Sequence, residues 1–278
     1  MTRLTKADVI NISAELGTYD KELLKKTECT LLGIACKAVG VDEIVVANAM
    51  GSLTTCVVPM DCGQGTIEGF CDAVKQIVQH LGCKAFITSH YDVSGIAEAF
   101  EKKCDIIFFA DDYRFVAITR NGGRVVDNTL ATAKGFVAGL SLMMGGLADR
   151  WVLVIGCGRV GRYAAFSLIE QGARVAVCDI EHSRALDLAA EADNLYHAKI
   201  QVEDRLEEIS AKYDGLFDAT PAAEIIEPQH VNNHTCVSAP GVPHGVCSRA
   251  LEIIGERFLH DSLQIGVATM LVEAAKGL

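Results

Sequence analysis

Apolar residues in the first half of the chain form two kinds of pattern that alternate along the sequence. Short apolar runs, as in "TTCVVPM", "KAFITS" and "CDIIFFAD", are typical of buried strands. Before and between them, apolar residues recur every three or four positions, which predicts amphipathic helices at residues 4–17, 66–82 and 92–103. Strands that alternate with helices favour a parallel sheet covered on both faces, so the first half is predicted to be an α/β domain.

A β-hairpin and a long helix are predicted to end this domain. The runs "FVAITR" and "RVVDN" flank an Asn-Gly-Gly turn, which predicts a hairpin at the domain edge. Residues 129–150 then predict a long interdomain helix leading into the apolar run "WVLVIG". We place the boundary at the end of that helix, giving an N-terminal substrate domain of residues 1–147 and a second domain of residues 148–278.

The second half has the element order of a dinucleotide-binding domain. Its predicted strands are "WVLVIG", "RVAVCD", "YDGLFDAT" and "HTCVSAP". Predicted helices begin at Gly158 and Ser183, cover residues 203–212, and close the chain at residues 262–275. We expect the last helix to pack back toward the cleft between the domains. The predicted fold class is α/β, an N-terminal substrate domain followed by a C-terminal Rossmann-type dinucleotide-binding domain.

The hexapeptide "GCGRVG" fits the G-x-G-x-x-G pattern in the context that the pattern requires. A strand precedes it, a helix follows, and the next strand ends in Asp179. Gly156 permits a tight turn, Gly158 lets the backbone approach a pyrophosphate, and Gly161 allows the helix and strand to pack closely. A carboxylate at Asp179 would bind the adenosine ribose and repel a 2′-phosphate. The predicted cofactor is therefore NAD rather than NADP, a preference that Arg184 could soften.

Two later strand ends and the start of the last helix complete the predicted cofactor site. Ligands of this fold bind beyond the carboxyl ends of the strands, and the sequences there are "DATP", "SAPG" and, in the helix, "QIG". An ordinary strand-to-helix turn is the alternative. The predicted cofactor contacts are Gly156, Cys157, Gly158, Arg159, Val160, Gly161, Asp179, Thr220, Pro221, Ser238, Ala239, Pro240 and Gln264.

Candidate substrate residues lie at strand ends of the first domain. Asp111 and Asp112 follow a wholly apolar strand, and either could bind a substrate ammonium or accept its proton, a solvated turn being the alternative. The loop "DCGQG" is predicted to open a helix and could offer backbone N–H groups to a substrate carboxylate. His244 is a further candidate proton carrier. The predicted substrate contacts are Gly63, Gly65, Asn128 and Thr132.

Composition narrows the range of partners. The chain carries 25 basic and 36 acidic residues, a net charge of -11, without a concentrated basic face, which argues against nucleic acid or an anionic membrane. Its 11 cysteines lack any C-x-x-C spacing, so we expect reduced thiols in a cytoplasmic protein and no metal site. We expect no signal peptide or membrane span. The apolar stretch "GLSLMMGGL" could bury against a second copy, which would make a homodimer, although an interdomain helix explains it equally well.

Four segments together resemble the pyrrolysine-biosynthesis dehydrogenases: "LTKADVINIS", "FFADDYRFVAIT", "DNTLATAKGF" and "VLVIGCGRVG". The first three carry the resemblance, because many dehydrogenases share the glycine pattern. It implies NAD-dependent oxidation of 3-methyl-D-ornithyl-N6-L-lysine, the lysine–methylornithine adduct, at its terminal amine carbon. Ammonia release and closure of a pyrroline ring would then give L-pyrrolysine. It also implies that Asp111 or Asp112 handles the amine.

Two alternatives stay open. One is another NAD(P)-dependent amino-acid dehydrogenase, or an oxidoreductase related to dipicolinate synthase. The other is an NAD-sensing regulatory domain without enzymatic activity, against which the large first domain and its carboxylate pair argue. The residues alone indicate an NAD-dependent, two-domain oxidoreductase that acts on a small cationic metabolite.

Overall fold

The computed structural model describes residues 4–209 and 211–278. Among these residues, no helix has the length and apolar character needed to cross a membrane. The helices and strands are α1 (Lys6–Val9), α2 (Ile12–Thr27), α3 (Leu31–Val39), α4 (Glu43–Met50), β1 (Thr54–Val57), α5 (Phe70–His80), β2 (Lys84–Ile87), α6 (Asp92–Glu101), β3 (Ile106–Ala110), β4 (Phe115–Thr119), β5 (Val125–Asp127), α7 (Asn128–Met143), β6 (Trp151–Ile155), α8 (Arg159–Glu170), β7 (Arg174–Cys178), α9 (His182–Tyr196), β8 (Gln201–Val202), β9 (Gly215–Asp218), β10 (Cys236–Ala239), α10 (Ser248–Ile254), β11 (Phe258–His260) and α11 (Gln264–Ala275).

The described residues form two compact units. The first unit contains residues 4–135 and 262–278, and the second unit contains residues 136–261. This division differs from the predicted boundary after residue 147 in two ways. The chain passes from one unit to the other inside α7, and α11 belongs to the first unit because it packs against α3, α5 and β4 there.

The sheet of the first unit is mixed, in the order β2-β1-β3-β4-β5. Strands β1, β2 and β3 are parallel, as the strand–helix alternation predicts. Strand β4 is antiparallel to both of its neighbours, β3 and β5, so the sheet is not parallel throughout. The reason is that short turns join β4 to β3 and to β5, and each of them allows only an antiparallel return. The ends of β3 and β5 therefore lie at the same edge of the sheet.

Helix α11 is apolar on all sides because it is buried on all sides. Its residues from Ile265 to Ala275 are buried apart from Glu273, which is partly exposed. Two glycines bring α7 and α11 together: a Cβ on Gly135 would lie 2.5 Å from Thr269 Oγ1, and one on Gly266 would lie 2.7 Å from Thr132 Oγ1. Even an alanine at either position would have to push the helices apart.

Helix α5 begins later than the apolar periodicity predicts. The pattern starts at Thr66, but the helix starts at Phe70 after Gly69, whose φ of 85° is left-handed. The Thr66 hydroxyl donates to the Met60 carbonyl (2.8 Å), which holds this segment as a loop. The prediction that "DCGQG" opens a helix is therefore wrong, because four residues separate Gly65 from the first helical turn.

The second unit has a six-stranded parallel sheet in the order β11-β10-β9-β6-β7-β8. Read from β8, this is the strand order of the Rossmann fold, with the change of direction between β6 and β9. The chain enters the sheet at β6, so the end of β6 lies at that switch point. This is the position at which ligands bind in open α/β sheets.

The helix predicted over residues 203–212 does not form. Only a 3₁₀ turn, Leu206–Glu208, is present, and Ser210 lies outside the described residues. Glu203 instead accepts hydrogen bonds from the side chains of Lys212 and Tyr213, while its backbone N–H extends the pairing to β7 at Val177 (2.9 Å). These long-range contacts outweigh the local helical preference.

Candidate active site

The glycine loop after β6 has the geometry that its sequence predicts. Gly156 has a φ of 90°, and a Cβ there would lie 2.9 Å from Thr220 Cγ2. A Cβ on Gly161 would lie 1.8 Å from the Gly156 carbonyl oxygen. Gly158 caps α8, and a Cβ there would meet no atom within 4 Å. The loop is therefore tight on its protein side and open beside the N-terminus of α8, where a diphosphate is predicted.

Two substitutions in this loop are expected to separate folding from binding. Gly161→Ala forces a methyl group onto a backbone carbonyl, so we expect the free energy of unfolding to fall by about 3 kcal/mol. Gly158→Ala should keep the fold and weaken NAD binding, because its methyl group fills the open space. Urea unfolding and NADH fluorescence titration measure the two effects. Equal loss of stability in both variants would contradict this assignment.

Asp179 follows β7 and is buried beside the glycine loop. Its Oδ2 accepts a hydrogen bond from the Cys157 backbone N–H (2.6 Å) and its Oδ1 from that of Glu181 (2.8 Å). A carboxylate has about four acceptor positions, so acceptors remain for a ribose diol. Burial and the Asp179 charge raise the pKa of the Cys157 thiol to about 12, so this thiol stays neutral.

Arg184 is paired with Glu181, the N-cap residue of its own helix. Its guanidinium lies 2.8 Å from Glu181 Oε1 in an exposed ion pair. The charge that could soften the preference for NAD is thus compensated locally. Among the described residues, the carboxylate of Asp179 has no such cationic partner, and the hydrogen bonds it accepts come from the neutral backbone N–H groups of Cys157 and Glu181.

Asp218, at the end of β9, ties together the two loops predicted to border the cofactor. Its Oδ1 accepts from the backbone N–H of Thr220 (3.0 Å) and from the Thr220 hydroxyl (2.8 Å), and its Oδ2 accepts from the Gly245 N–H (2.6 Å). Burial raises the pKa of Asp218, while these hydrogen bonds oppose the shift. A Cβ on Gly241 would lie 2.1 Å from the Thr220 carbonyl oxygen, so the loops also touch directly.

Side chains hold the end of β10 and the loop that follows it. Ser238 is buried and donates to the Phe136 carbonyl (2.9 Å), so its hydroxyl faces the core of the second unit. The Ala239 carbonyl lies 2.7 Å from His260 Nδ1. His244 packs edge-on against His260, with ring centroids 4.9 Å apart. Burial and, after it, the neighbouring His260 lower the pKa of His244.

In the first unit, the two adjacent aspartates have different environments. Asp111 Oδ1 accepts from the backbone N–H groups of Tyr113 (2.8 Å) and Arg114 (2.7 Å), which closes the turn between β3 and β4. Asp112 Oδ2 instead accepts from the backbone N–H of Gln64 (3.0 Å). Both side chains are exposed. Asp111 is thus used by its own turn, whereas Asp112 reaches the predicted substrate loop.

That loop is shaped around Asp112. A Cβ on Gly63 would lie 2.1 Å from Asp112 Oδ2, and both Gly63 and Gly65 have a positive φ, of 68° and 74°. The Gly65 N–H donates to the Cys62 carbonyl (3.2 Å). Two of the loop's N–H groups, those of Gln64 and Gly65, are therefore committed within the protein. Gln64 was not singled out from the sequence, and only its position between two glycines could have indicated it.

The other predicted first-unit residues lie where α7 meets α11. Asn128 Oδ1 accepts from the Thr132 hydroxyl (3.3 Å). Both side chains lie against Gly266, where they fill the space that a Cβ would need. Gln264 lies at the start of α11, where its Oε1 accepts from the Leu263 N–H (3.1 Å). Gln264, predicted to contact the cofactor, thus belongs to the first unit and not to the unit that carries the glycine loop.

Comparison with known proteins first identifies the class of proteins whose fold this chain shares. Residues 140–239 match the family model described as shikimate / quinate 5-dehydrogenase. Quinate dehydrogenase from Corynebacterium glutamicum, solved in complex with NAD, has a TM-score of 0.56 at 16% identity, covering 82% of this chain and 94% of that one. The chain therefore has the α/β fold of this class of dehydrogenases, with a Rossmann-type second unit, as its element order predicts.

The particular relatives are pyrrolysine synthases. Residues 8–126 match the N-terminal domain of pyrrolysine biosynthesis protein PylD. The pyrrolysine synthase of Methanosarcina acetivorans is 28% identical over 276 residues, which is 98% of both chains. That of Methanosarcina barkeri is 29% identical over 279 residues, 98% of this chain and 97% of its own. The chain is a homologue of pyrrolysine synthases nearly end to end, which confirms the resemblance of its four segments.

Proposed function

We propose that the protein oxidises 3-methyl-D-ornithyl-N6-L-lysine with NAD and releases L-pyrrolysine. The observation that carries the proposal is the end-to-end similarity to two pyrrolysine synthases, which includes the first unit as well as the widely shared glycine loop. The proposal is supported by the open space beside Gly158, where a Cβ would meet no atom within 4 Å, and by the carboxylate of Asp179 next to the same loop. A cytoplasmic location and a homodimer stay predictions.

The residues of the second unit fit a dinucleotide. The loop from Gly156 to Gly161 and the N-terminus of α8 would hold the diphosphate, and Asp179 would hold the adenosine ribose. Asp218, through Thr220 and Gly245, fixes the two loops that would border the nicotinamide. When bound, NAD supplies the hydride acceptor for oxidation of the amine carbon.

In the first unit, Asp112 is the residue that we assign to the substrate amine. Its carboxylate, held at Oδ2 by Gln64, would bind the terminal ammonium and accept its proton, so that the amine nitrogen can form the imine as hydride leaves the adjacent carbon. Water adds to the imine and ammonia departs. The resulting aldehyde condenses with the α-amine of the methylornithine part, and loss of water closes the pyrroline ring.

The test is a reaction of the purified full chain with NAD and the lysine–methylornithine adduct. We expect NADH to form in a one-to-one ratio with a product of the mass of pyrrolysine and with free ammonia. Lysine and ornithine, offered separately, are the matched controls and should not react. NADH formation from a free amino acid but not from the adduct would favour another amino-acid dehydrogenase. NAD binding without turnover of any of these amines would favour a regulatory domain.

A further inference from the structure

A cavity of about 140 Å³ lies within the first unit, beside the edge strand β5. Residues of β5, α7 and α11 line it, among them Asp127, Lys134, Thr269 and Glu273. A single water needs roughly 10–15 Å³ of such a cavity, so the volume is large enough for several waters or one small organic acid. None of the residues assigned above to the amine or the dinucleotide lines it.

The charges around this cavity are paired except for one. Arg124 binds Glu273 Oε1 (2.7 Å), and Asp127 binds Arg114 (3.0 Å). Lys134 is half-buried, and its ammonium has no ion pair or hydrogen bond among the described residues. Because Asp127 pairs with Arg114, which lies outside the lining, Lys134 is the lining charge left without a partner, and it favours an anion with a single negative charge.

A second unsatisfied group lines the same cavity. Thr269 is fully buried, and its hydroxyl oxygen has no hydrogen-bond partner among the described residues. A Cβ on Gly135 would lie 2.5 Å from this oxygen, which places the hydroxyl beside the backbone of α7, one residue beyond Lys134. Buried polar groups nearly always have a hydrogen-bond partner, so we expect this hydroxyl to donate to an acceptor that occupies the cavity. A carboxylate offers the charge that Lys134 needs and the acceptor that Thr269 needs.

We propose that this cavity is a binding site for one carboxylate group, with Lys134 as its counterion and Thr269 as its hydrogen-bond donor. The carboxylate belongs either to the amino-acid substrate of the proposed function or to a separate small organic acid. The binding site itself does not depend on which source is correct.

Propionate is the probe for a direct binding test on the full chain labelled with [15N]lysine. We expect the Lys134 side-chain resonance to shift saturably with propionate and to stay unchanged with propionamide, its uncharged analogue. Thr269→Val, which keeps the shape and removes the hydroxyl, should weaken binding at least threefold. Lys134→Met should abolish it, whereas Lys84→Met, at an exposed position of β2, should leave it unchanged. A Lys134 resonance that moves no more than that of Lys84 would overturn the proposal.

The source of the carboxylate follows from inhibition of turnover. Propionate that competes with the lysine–methylornithine adduct indicates that the substrate's own carboxylate occupies the site. Inhibition that is not competitive with the adduct indicates a separate acid. Because the binding test needs no turnover, a failure of the proposed reaction leaves the carboxylate site testable, and a failure of propionate binding leaves the proposed reaction intact.

Discussion

Asp112→Asn is expected to lower kcat by about 10²- to 10⁴-fold, the range for loss of a positioned acid–base group. The asparagine keeps the size of the side chain and an amide oxygen that can accept from the Gln64 N–H, as the carboxylate does at 3.0 Å. It removes the negative charge that would hold the substrate ammonium and take its proton. Steady-state kinetics at saturating NAD with the adduct measures the loss, and NAD affinity should stay unchanged.

Asp111→Asn is the matched control, since it makes the same chemical change one residue away. Asp111 Oδ1 accepts two backbone N–H groups of its own turn, and an asparagine oxygen can still accept both, although as a neutral and therefore weaker acceptor. We expect kcat to fall less than threefold and the urea midpoint to move little. If Asp111→Asn abolishes turnover while Asp112→Asn does not, the roles assigned to the pair are reversed.

The glycine loop was predictable because local constraints determine it. Gly161 lies so close to the Gly156 carbonyl that no side chain fits, and Gly156 has a backbone conformation that glycine tolerates best. The strands around the loop are buried in a parallel sheet covered on both faces, so they appear in the sequence as continuous apolar runs. Sequence and structure therefore agree on β6, α8 and β7.

Features that depend on distant contacts were not predictable. Residues 203–212 have helical spacing, yet Glu203 binds Lys212 and Tyr213, and Ile209 is buried in the core. The closing helix α11 has an all-round apolar sequence that fits either unit, and only its packing against α3 and α5 places it in the first. The sequence does not indicate which of the neighbouring residues Asp111 and Asp112 reaches the predicted substrate loop. The geometry of the turn between β3 and β4 decides this, because it determines which carboxylate accepts the N–H groups of the turn.

Asp179→Asn is expected to weaken NAD binding by about 10- to 100-fold. Hydrogen bonds to a charged group contribute about 1.5–3 kcal/mol, and 1.4 kcal/mol corresponds to a factor of ten in affinity. The carboxylate accepts from the Cys157 and Glu181 N–H groups at 2.6 Å and 2.8 Å, so the amide also places its NH₂ against one of these donors. Asp187→Asn, on the exposed face of α9, is the control and should leave affinity unchanged.

Comparing NAD with NADP separates the two roles of this carboxylate. If Asp179 only positions the glycine loop, the variant loses affinity for both dinucleotides by the same factor, because the loop would hold a diphosphate common to both. If Asp179 also binds the ribose and repels a 2′-phosphate, NADP affinity falls less than NAD affinity or rises. Arg184 stays paired with Glu181 in either case, so the change in ratio reports the Asp179 charge itself. We expect the NAD-to-NADP affinity ratio to drop at least tenfold, measured by fluorescence titration of both reduced dinucleotides.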